Sequence, residues 1–477
     1  MKKRLILLCL LLLVSAAALC LIEAQVISEH DRVTVTEQAR FGDPAAASGA
    51  LVRLNAHLDE HLLWDMTFRP GGEVQTDYTF SARKMDFDRQ PDIAGIHLYE
   101  DFEYGLDTRK TFEDLVGLEC AYYELFRDTA AGTKGTRTVR LQDYYTYYPI
   151  RVEINLPGTL WHSLDYEDTQ EAGFENERAV WDKFREFFKI PVPADLPAFE
   201  ISIVKNADGS IGGAGSSAPK EGASYNFYTA SAYTEDACYL TVNNRYGDGY
   251  IDTSLIPGGY GIYRFTYKNV RNDKNTQGNA TVYHPGFETG VDADSLKMVY
   301  PLDEALHVNK MKISPDGTRL FVMAEDRAGF THLIILDLAT MTEVQTISIE
   351  SDSYVSLHPE ENFFVLFYGQ YLSLYEESAD GTYTHAITGD QPNYRDERFS
   401  SFNTHCAMDF DGERLILVDI LTESRYHALQ TCNLCLAVYD GTGLCYYGEY
   451  QNGLSVNPDT SRYDYNIIPL DLSVEWS

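Results

Sequence analysis

The stretch Lys312-Ile313-Ser314-Pro315-Asp316-Gly317-Thr318-Arg319-Leu320-Phe321-Val322 decides the fold. Apolar, strand-prone residues stand at both ends. Between them Pro315 sets φ and Gly317 takes positive φ, so the chain doubles back in a tight turn. Residues 333–338 read as a third strand, Thr340-Met341-Thr342 as a turn, and 344–349 as an alternating fourth strand. The order then returns. Ser356-Leu357-His358-Pro359-Glu360-Glu361 takes the place of the first turn, followed by 363–367, 372–375, the turn Ala379-Asp380-Gly381, and 383–387. It returns again as Ala407-Met408-Asp409-Phe410-Asp411-Gly412, 415–418, 436–439, the turn Asp440-Gly441-Thr442-Gly443, and 444–450. Aligning Asp316, Glu360 and Asp411 gives spacings of 44 and 51 residues.

A four-strand unit repeating at about 40–50 residues is the signature of a β-propeller. These turns resemble those of bacterial propellers with WD-repeat-like blades and a Ser-Pro-Asp-Gly hairpin, over residues 300–452. The resemblance implies a fold and no catalytic residues. Trp-Asp, the mark of true WD repeats, is missing from the blade ends; Trp64-Asp65 lies inside a strand. Upstream the repeat blurs while strand character persists at 52–56, 64–68, 74–80, 120–126, 138–141, 144–148, 152–156, 239–242, 261–267 and 296–300. One helix interrupts it at about 176–189. Asn176 caps it, Val180, Trp181, Phe184, Phe187 and Phe188 recur at helical spacing, and Pro191 ends it. The Gly/Ser/Ala-rich segment 206–224 reads as a loop. The expected fold is all-β, a propeller of about seven (six to eight) four-stranded blades over residues 50–477 with that one helical insertion.

Ahead of it, 25–49 reads as a linker with an N-terminal strand, and 1–24 as a signal peptide or N-terminal anchor. Lys2-Lys3-Arg4, an apolar run and Ala16-Ala17-Ala18 are the three parts of a secretory signal. Cleavage after Ala18 or Ala24, an uncleaved anchor, and a lipid on Cys20 are the three fates; Leu19 is the wrong residue before a lipidated cysteine. The expected location is therefore exported, either secreted or anchored at the cell surface. Six cysteines follow the signal, too few for a disulfide scaffold in so long a chain. Stability must come from the core.

The 477-residue chain carries 38 basic and 72 acidic residues, a net charge of −34. Such a surface repels phosphate backbones, which excludes nucleic acid as a partner, and it lacks a polybasic membrane patch. Membrane contact is expected only through the N-terminal segment. The 34 tyrosines suit surfaces that hold sugars or peptides, so the expected partner is a protein or a carbohydrate.

Local motifs argue against catalysis. His57-Leu58-Asp59-Glu60-His61 matches a zinc-peptidase pattern that needs both histidines one helical turn apart. Here the flanking residues alternate, so the motif belongs to a hairpin tip. Cys432-Asn433-Leu434-Cys435, with Cys445 and His427 nearby, is read foremost as contributing to a disulfide, then as free core thiols, and last as a metal cluster. No cofactor is expected, although acidic loops at 248–252 and 292–294 could hold calcium loosely; Asp273 opens no EF-hand, since His284 stands where its glutamate should be. Gly-x-Ser-x-Gly and Walker motifs are missing.

The expected function is that of a non-catalytic, exported binding protein. One alternative is a propeller enzyme of sugar lyase or lactonase type with a central-channel site. A second is a structural part of a cell-envelope assembly. Long loops on a rigid sheet scaffold are where ligands bind. The candidate ligand residues are therefore Tyr246, Asp248, Tyr250 and Asp252 in one loop, and Arg425, Tyr426 and His427 in another.

Overall fold

The computed structural model describes residues 2–30, 35–58, 62–72, 74–80, 95–100, 102, 105–106, 113, 115–155, 162–163, 175–194, 196–217, 227–234, 236–244, 253–267, 291–350, 354–391, 406–421, 433–452 and 467–476. They fall into two units, Gln90–Glu350 and the remainder of the chain.

The deciding stretch folds as its turn chemistry requires. Strands Leu306–Ile313, Arg319–Asp326, Thr331–Asp337 and Thr342–Ile349 form one antiparallel sheet in chain order. Gly317 sits at φ 71° and its N–H donates to the Ser314 carbonyl at 2.9 Å. Ser314 Oγ donates to Asp316 Oδ1 at 2.5 Å and Thr318 Oγ1 donates to Asp316 Oδ2 at 2.7 Å. Burial alone would raise the Asp316 pKa. The Ser314 and Thr318 hydrogen bonds outweigh it and hold the carboxyl below its ordinary value. The same Asp-Gly-Thr device recurs, with Thr382 Oγ1 donating to Asp380 and Thr442 Oγ1 to Asp440, each at 2.6 Å.

The unit Gln90–Glu350 holds a second four-stranded sheet: Phe227–Tyr233, Ala237–Asn244, Gly261–Thr266 and Lys297–Pro301. A three-stranded sheet joins Gly95–Glu100, Ile150–Asn155 and His162–Ser163. Another joins Lys134–Val139, Phe199–Lys205 and Ile211–Ser216. The expected helix is present as Glu175–Phe187. Its buried stripe of Val180, Trp181 and Phe184, with Phe188 just beyond, packs on the second sheet. Phe188 meets Tyr263 edge-on at 5.0 Å and Phe184 meets Phe265 at 5.8 Å. Each such side chain contributes roughly 1.5–3 kcal/mol by leaving water.

Three expectations fail in this unit. Residues 120–126 are not a strand but part of a second helix, Leu118–Asp128, whose buried Leu118, Ala121, Tyr122 and Leu125 follow the helical period. The single-helix insertion is therefore corrected. The run 144–148 is not a strand either: a 3-10 turn at Leu141–Asp143 leads into it, and only Tyr147 bridges, to Pro191. Within the loop expected at 206–224, Ile211–Ser216 is a strand that pairs with Phe199–Lys205 across the Asp208-Gly209-Ser210 turn.

In the other unit, Val355–Pro359, Phe363–Tyr368, Tyr371–Glu377 and Tyr383–Asp390 form one sheet. Ala407–Phe410, Leu415–Leu421, Asn433–Asp440 and Gly443–Asn452 form the next, and Val35–Gly42 adds a fifth strand to its far edge. Ile416, Leu417, Val418, Leu436, Ala437 and Val438 are fully buried, so both sheet faces are covered and the strands read as continuous apolar runs. The last sheet joins Ile467–Trp476 from the C-terminal end with Ala50–Leu58, Leu62–Phe68 and Val74–Phe80. Glu37 ties strands together locally, accepting from Tyr446 Oη at 2.6 Å and from the Gly71 N–H at 2.7 Å. The helix Lys2–His30 leaves Leu10 to Val14, Leu19 and Leu21 more than half exposed. Counting only residues whose side chains are described, no helix is long and apolar enough to cross a membrane.

Candidate ligand-binding cleft

The seven candidate ligand residues, Tyr246, Asp248, Tyr250, Asp252, Arg425, Tyr426 and His427, lie outside the described residues. The structure does describe both ends of the first loop. Asn243, 1% exposed, donates Nδ2–H to the Val308 carbonyl at 2.8 Å and accepts the Val308 N–H on Oδ1 at 3.1 Å. Tyr260 Oη donates to the same Oδ1 at 2.5 Å. Leu306–Ile313 is the edge strand of its sheet, and the Asn243 carboxamide caps that edge as a peptide group would. The loop thus springs from a buried polar clamp.

His57 and Leu58 end a strand whose Leu58 pairs with Leu62 across the hairpin. That is strand geometry on the described side of the zinc-like motif; Asp59, Glu60 and His61 lie outside the described residues. Cys120, Cys238, Cys406, Cys435 and Cys445 are free thiols, which corrects the disulfide reading for Cys435 and Cys445. Cys432 lies outside the described residues. Burial drives the Cys238 thiol up to about 12 and raises Cys406 and Cys435, so these groups are protonated core residues rather than nucleophiles. Among the described residues no three His, Cys, Asp or Glu side chains group as metal ligands.

What the unit Gln90–Glu350 does offer is a cleft of about 680 Å³. Tyr144, Tyr145, Tyr147 and Tyr148 line it, and Asp182, Arg185, Glu186 and Lys189 form its charged side. The helix Glu175–Phe187 sets that side, because burying Val180, Trp181 and Phe184 turns Asp182, Arg185 and Glu186 outward. The tyrosine segment runs antiparallel to the chain after this helix. The Tyr148 N–H donates to the Ile190 carbonyl at 2.9 Å and the Val192 N–H to the Thr146 carbonyl at 3.1 Å. Tyr145 Oη accepts the Leu118 N–H at 3.0 Å. Gly117 makes that approach feasible: it sits at φ 54°, and a Cβ there would collide with the Tyr145 ring. Phe102 backs the cleft, edge-on to Tyr145 at 5.4 Å. Tyr147 is 40% exposed, and Lys189 Nζ lies 4.4 Å from its ring centroid. Burial, with the Glu124 carboxylate behind it, raises the Tyr144 pKa, so its hydroxyl stays protonated and available to donate.

Flat tyrosine faces beside charged hydrogen-bonding groups can hold a molecule that is apolar on one face and rich in hydroxyls on its edges. The signal for this cleft was present as the tyrosine density of 144–148 and the charged face of the helix. Only the fold brings the two together.

No family model and no curated protein matches the chain. Among solved structures, it is similar to a candidate 6-phosphogluconolactonase from Bacteroides fragilis NCTC 9343 at 10% identity and a TM-score of 0.30, covering 91% of this chain and all of that one. It is similar to the β-propeller domain of the Trilobed protease from Pyrococcus furiosus at 12% identity and a TM-score of 0.22, over 54% of this chain and 66% of that one. For an oligogalacturonate lyase in complex with manganese the values are 12% and 0.22, over 52% and 58%. The chain thus spans less than two thirds of the last two. At these scores the likeness adds nothing to what the repeated four-stranded sheets say about the fold.

Proposed function

We propose that this protein is an exported β-propeller of six blades that binds a carbohydrate without turning it over, through the tyrosine cleft. The cleft's four tyrosines beside Asp182, Arg185, Glu186 and Lys189 carry the reading. Among the described residues, four sheets of four strands and one of five have the blade pattern, and the three-stranded sheet Gly95–Glu100, Ile150–Asn155 and His162–Ser163 counts as the sixth blade. The sheet Lys134–Val139, Phe199–Lys205 and Ile211–Ser216, with the helix Leu118–Asp128, is then an insertion. Pairing of Ile467–Trp476 with Ala50–Leu58 supports one blade being assembled from strands far apart along the chain. The basic and apolar start of the chain supports export.

The test is calorimetric titration of the purified protein with cellopentaose, xylopentaose and chitopentaose, each recovered afterwards for mass analysis. One of them binds, Tyr147→Ala weakens it about tenfold, as loss of a stacking face does, and the sugar is recovered intact. A Tyr147→Ala variant that binds as the parent does would refute the cleft. Cleaved sugar would refute the non-catalytic reading. A uronate oligomer and a sugar lactone test the lyase or lactonase alternative separately; turnover of either would favour it, with His97 and His307, on strands flanking Phe227–Tyr233, the residues to vary.

A further inference from the structure

A second groove, of about 850 Å³, opens between the two four-stranded sheets of the unit Gln90–Glu350. Its charge is wrong for this protein. Three neighbouring strands place Tyr239, Arg264 and Lys297 side by side, Arg264 being the register partner of both others. The Arg264 guanidinium lies over the Tyr239 ring at 5.9 Å, and Tyr239 is itself buried. Neither Arg264 nor Lys297 forms an ion pair among the described residues.

Like charges directly opposite on adjacent strands are destabilising. In a chain with 72 acidic and 38 basic residues, a cation finds a carboxylate easily. Two that oppose each other and find none are an arrangement that folding does not favour. The lone acid of the lining, Asp236, instead accepts from Thr234 Oγ1 at 2.6 Å. Met298, Val299, Leu338 and Met341 give the groove a soft apolar side, next to the hydroxyls of Thr234 and Thr340.

We propose that this groove is a binding site for a small carboxylate with an apolar body. Its oxygens lie against Arg264 and Lys297, and its body lies along Met298 and Met341. Arg264, held flat by Tyr239, offers the forked donor geometry that matches a carboxylate, and Lys297 adds a point charge beside it. The overall negative field works against any anion, so only this local pair gives binding.

The experiment is calorimetry on the purified full chain at low salt with three probes: 4-phenylbutyrate, 4-phenylbutanol and inorganic phosphate. The carboxylate binds, the alcohol binds at least about tenfold more weakly, and Arg264→Gln or Lys297→Gln each weakens the carboxylate about tenfold, the scale of one charge-assisted hydrogen bond. The thermal midpoint of Lys297→Gln stays level or rises, because it removes an unopposed like-charge neighbour, whereas Arg264→Gln also loses the contact with the Tyr239 ring. No binding of phenylbutyrate, or equal binding by the double variant, overturns the site. Phosphate binding as tightly as phenylbutyrate overturns the apolar half of the assignment. A lowered midpoint in Lys297→Gln overturns the claim that these cations are held for a ligand rather than for the fold.

Discussion

Replacing Asn243 by alanine removes the clamp between the two four-stranded sheets of the unit Gln90–Glu350. The carboxamide makes two bonds to Val308, at 2.8 and 3.1 Å, and accepts one from Tyr260 at 2.5 Å. Asn243 is 1% and Val308 0% exposed, so water cannot readily replace these bonds. Each bond to a buried peptide group is worth about 0.5–1.5 kcal/mol net, and stranding its partner costs about 1–3 kcal/mol. Tyr260 loses less, because its hydroxyl also lies 2.8 Å from the Leu306 carbonyl and keeps an acceptor. The expected loss is about 3 kcal/mol. A unit of this size gains roughly 2 cal/mol/K of unfolding entropy per residue, so the thermal midpoint falls by about 4–8 °C. Fluorescence-monitored melting of Asn243→Ala, Tyr260→Phe and the double variant reads it directly. Tyr260→Phe alone loses about 1 kcal/mol, and the double variant loses less than the sum, since the two groups share one bond. A fall below about 2 °C in Asn243→Ala, or strict additivity, would refute the argument that the carboxamide stands in for a strand.

Three further outcomes follow from the same structure. His307 is desolvated to a pKa of about 4, so the folded state keeps it neutral while the unfolded chain protonates it below 6.5. The folded value is depressed, so its contribution of about 3 kcal/mol is present above pH 6.5 and drains away towards pH 4. His307→Gln flattens the stability profile in that window, and an unchanged slope would contradict the assignment. Asp316→Ala loses about 1–2 kcal/mol at pH 7 by emptying the Ser314 and Thr318 bonds. Because the Asp316, Asp380 and Asp440 carboxyls are all held below their ordinary value of 3.8, stability declines as the pH drops below about 4, and the Asp316→Ala penalty shrinks there. A penalty independent of pH would show that the carboxylate form is not what the turn needs. Met341 sits at φ 54°, the left-handed region, in the turn before Thr342–Ile349. Met341→Val costs about 1–2 kcal/mol while Met341→Asn, which tolerates that conformation, costs less; equal melting curves for the two would remove backbone strain as the cause.

The repeated strands and Asp-Gly-Thr turns of 306–450 were legible because each is specified within a few residues: glycine at positive φ, an aspartate accepting from the threonine two positions on, and apolar runs on either side. The helix Glu175–Phe187 was legible for the same reason, since Val180, Trp181, Phe184 and Phe188 carry its period on their own. The helix Leu118–Asp128 was misread because Tyr122, Tyr123 and Phe126 are strand-prone residues. The spacing of Leu118, Ala121, Tyr122 and Leu125 outweighs that propensity only when a sheet covers it. Strand Ile211–Ser216 has no side-chain pattern to read and exists through its ladder to Phe199–Lys205.

By itself the sequence determined the local elements, the strongly acidic charge balance, and the period that makes four-stranded sheets. These depend on neighbours along the chain, which a sequence lists in order. Tertiary structure decided everything that depends on residues far apart. Asn243 meets Val308 across 65 positions, the tyrosines of 144–148 meet the helix that follows them, and Arg264 meets Lys297 through a register that shifts between Ile262 and Tyr263. The physical reason is that register and packing are collective. A one-residue slip sends every side chain of a strand to the other face, and no local propensity encodes which carboxamide will cap which edge or which two cations will be left to face each other.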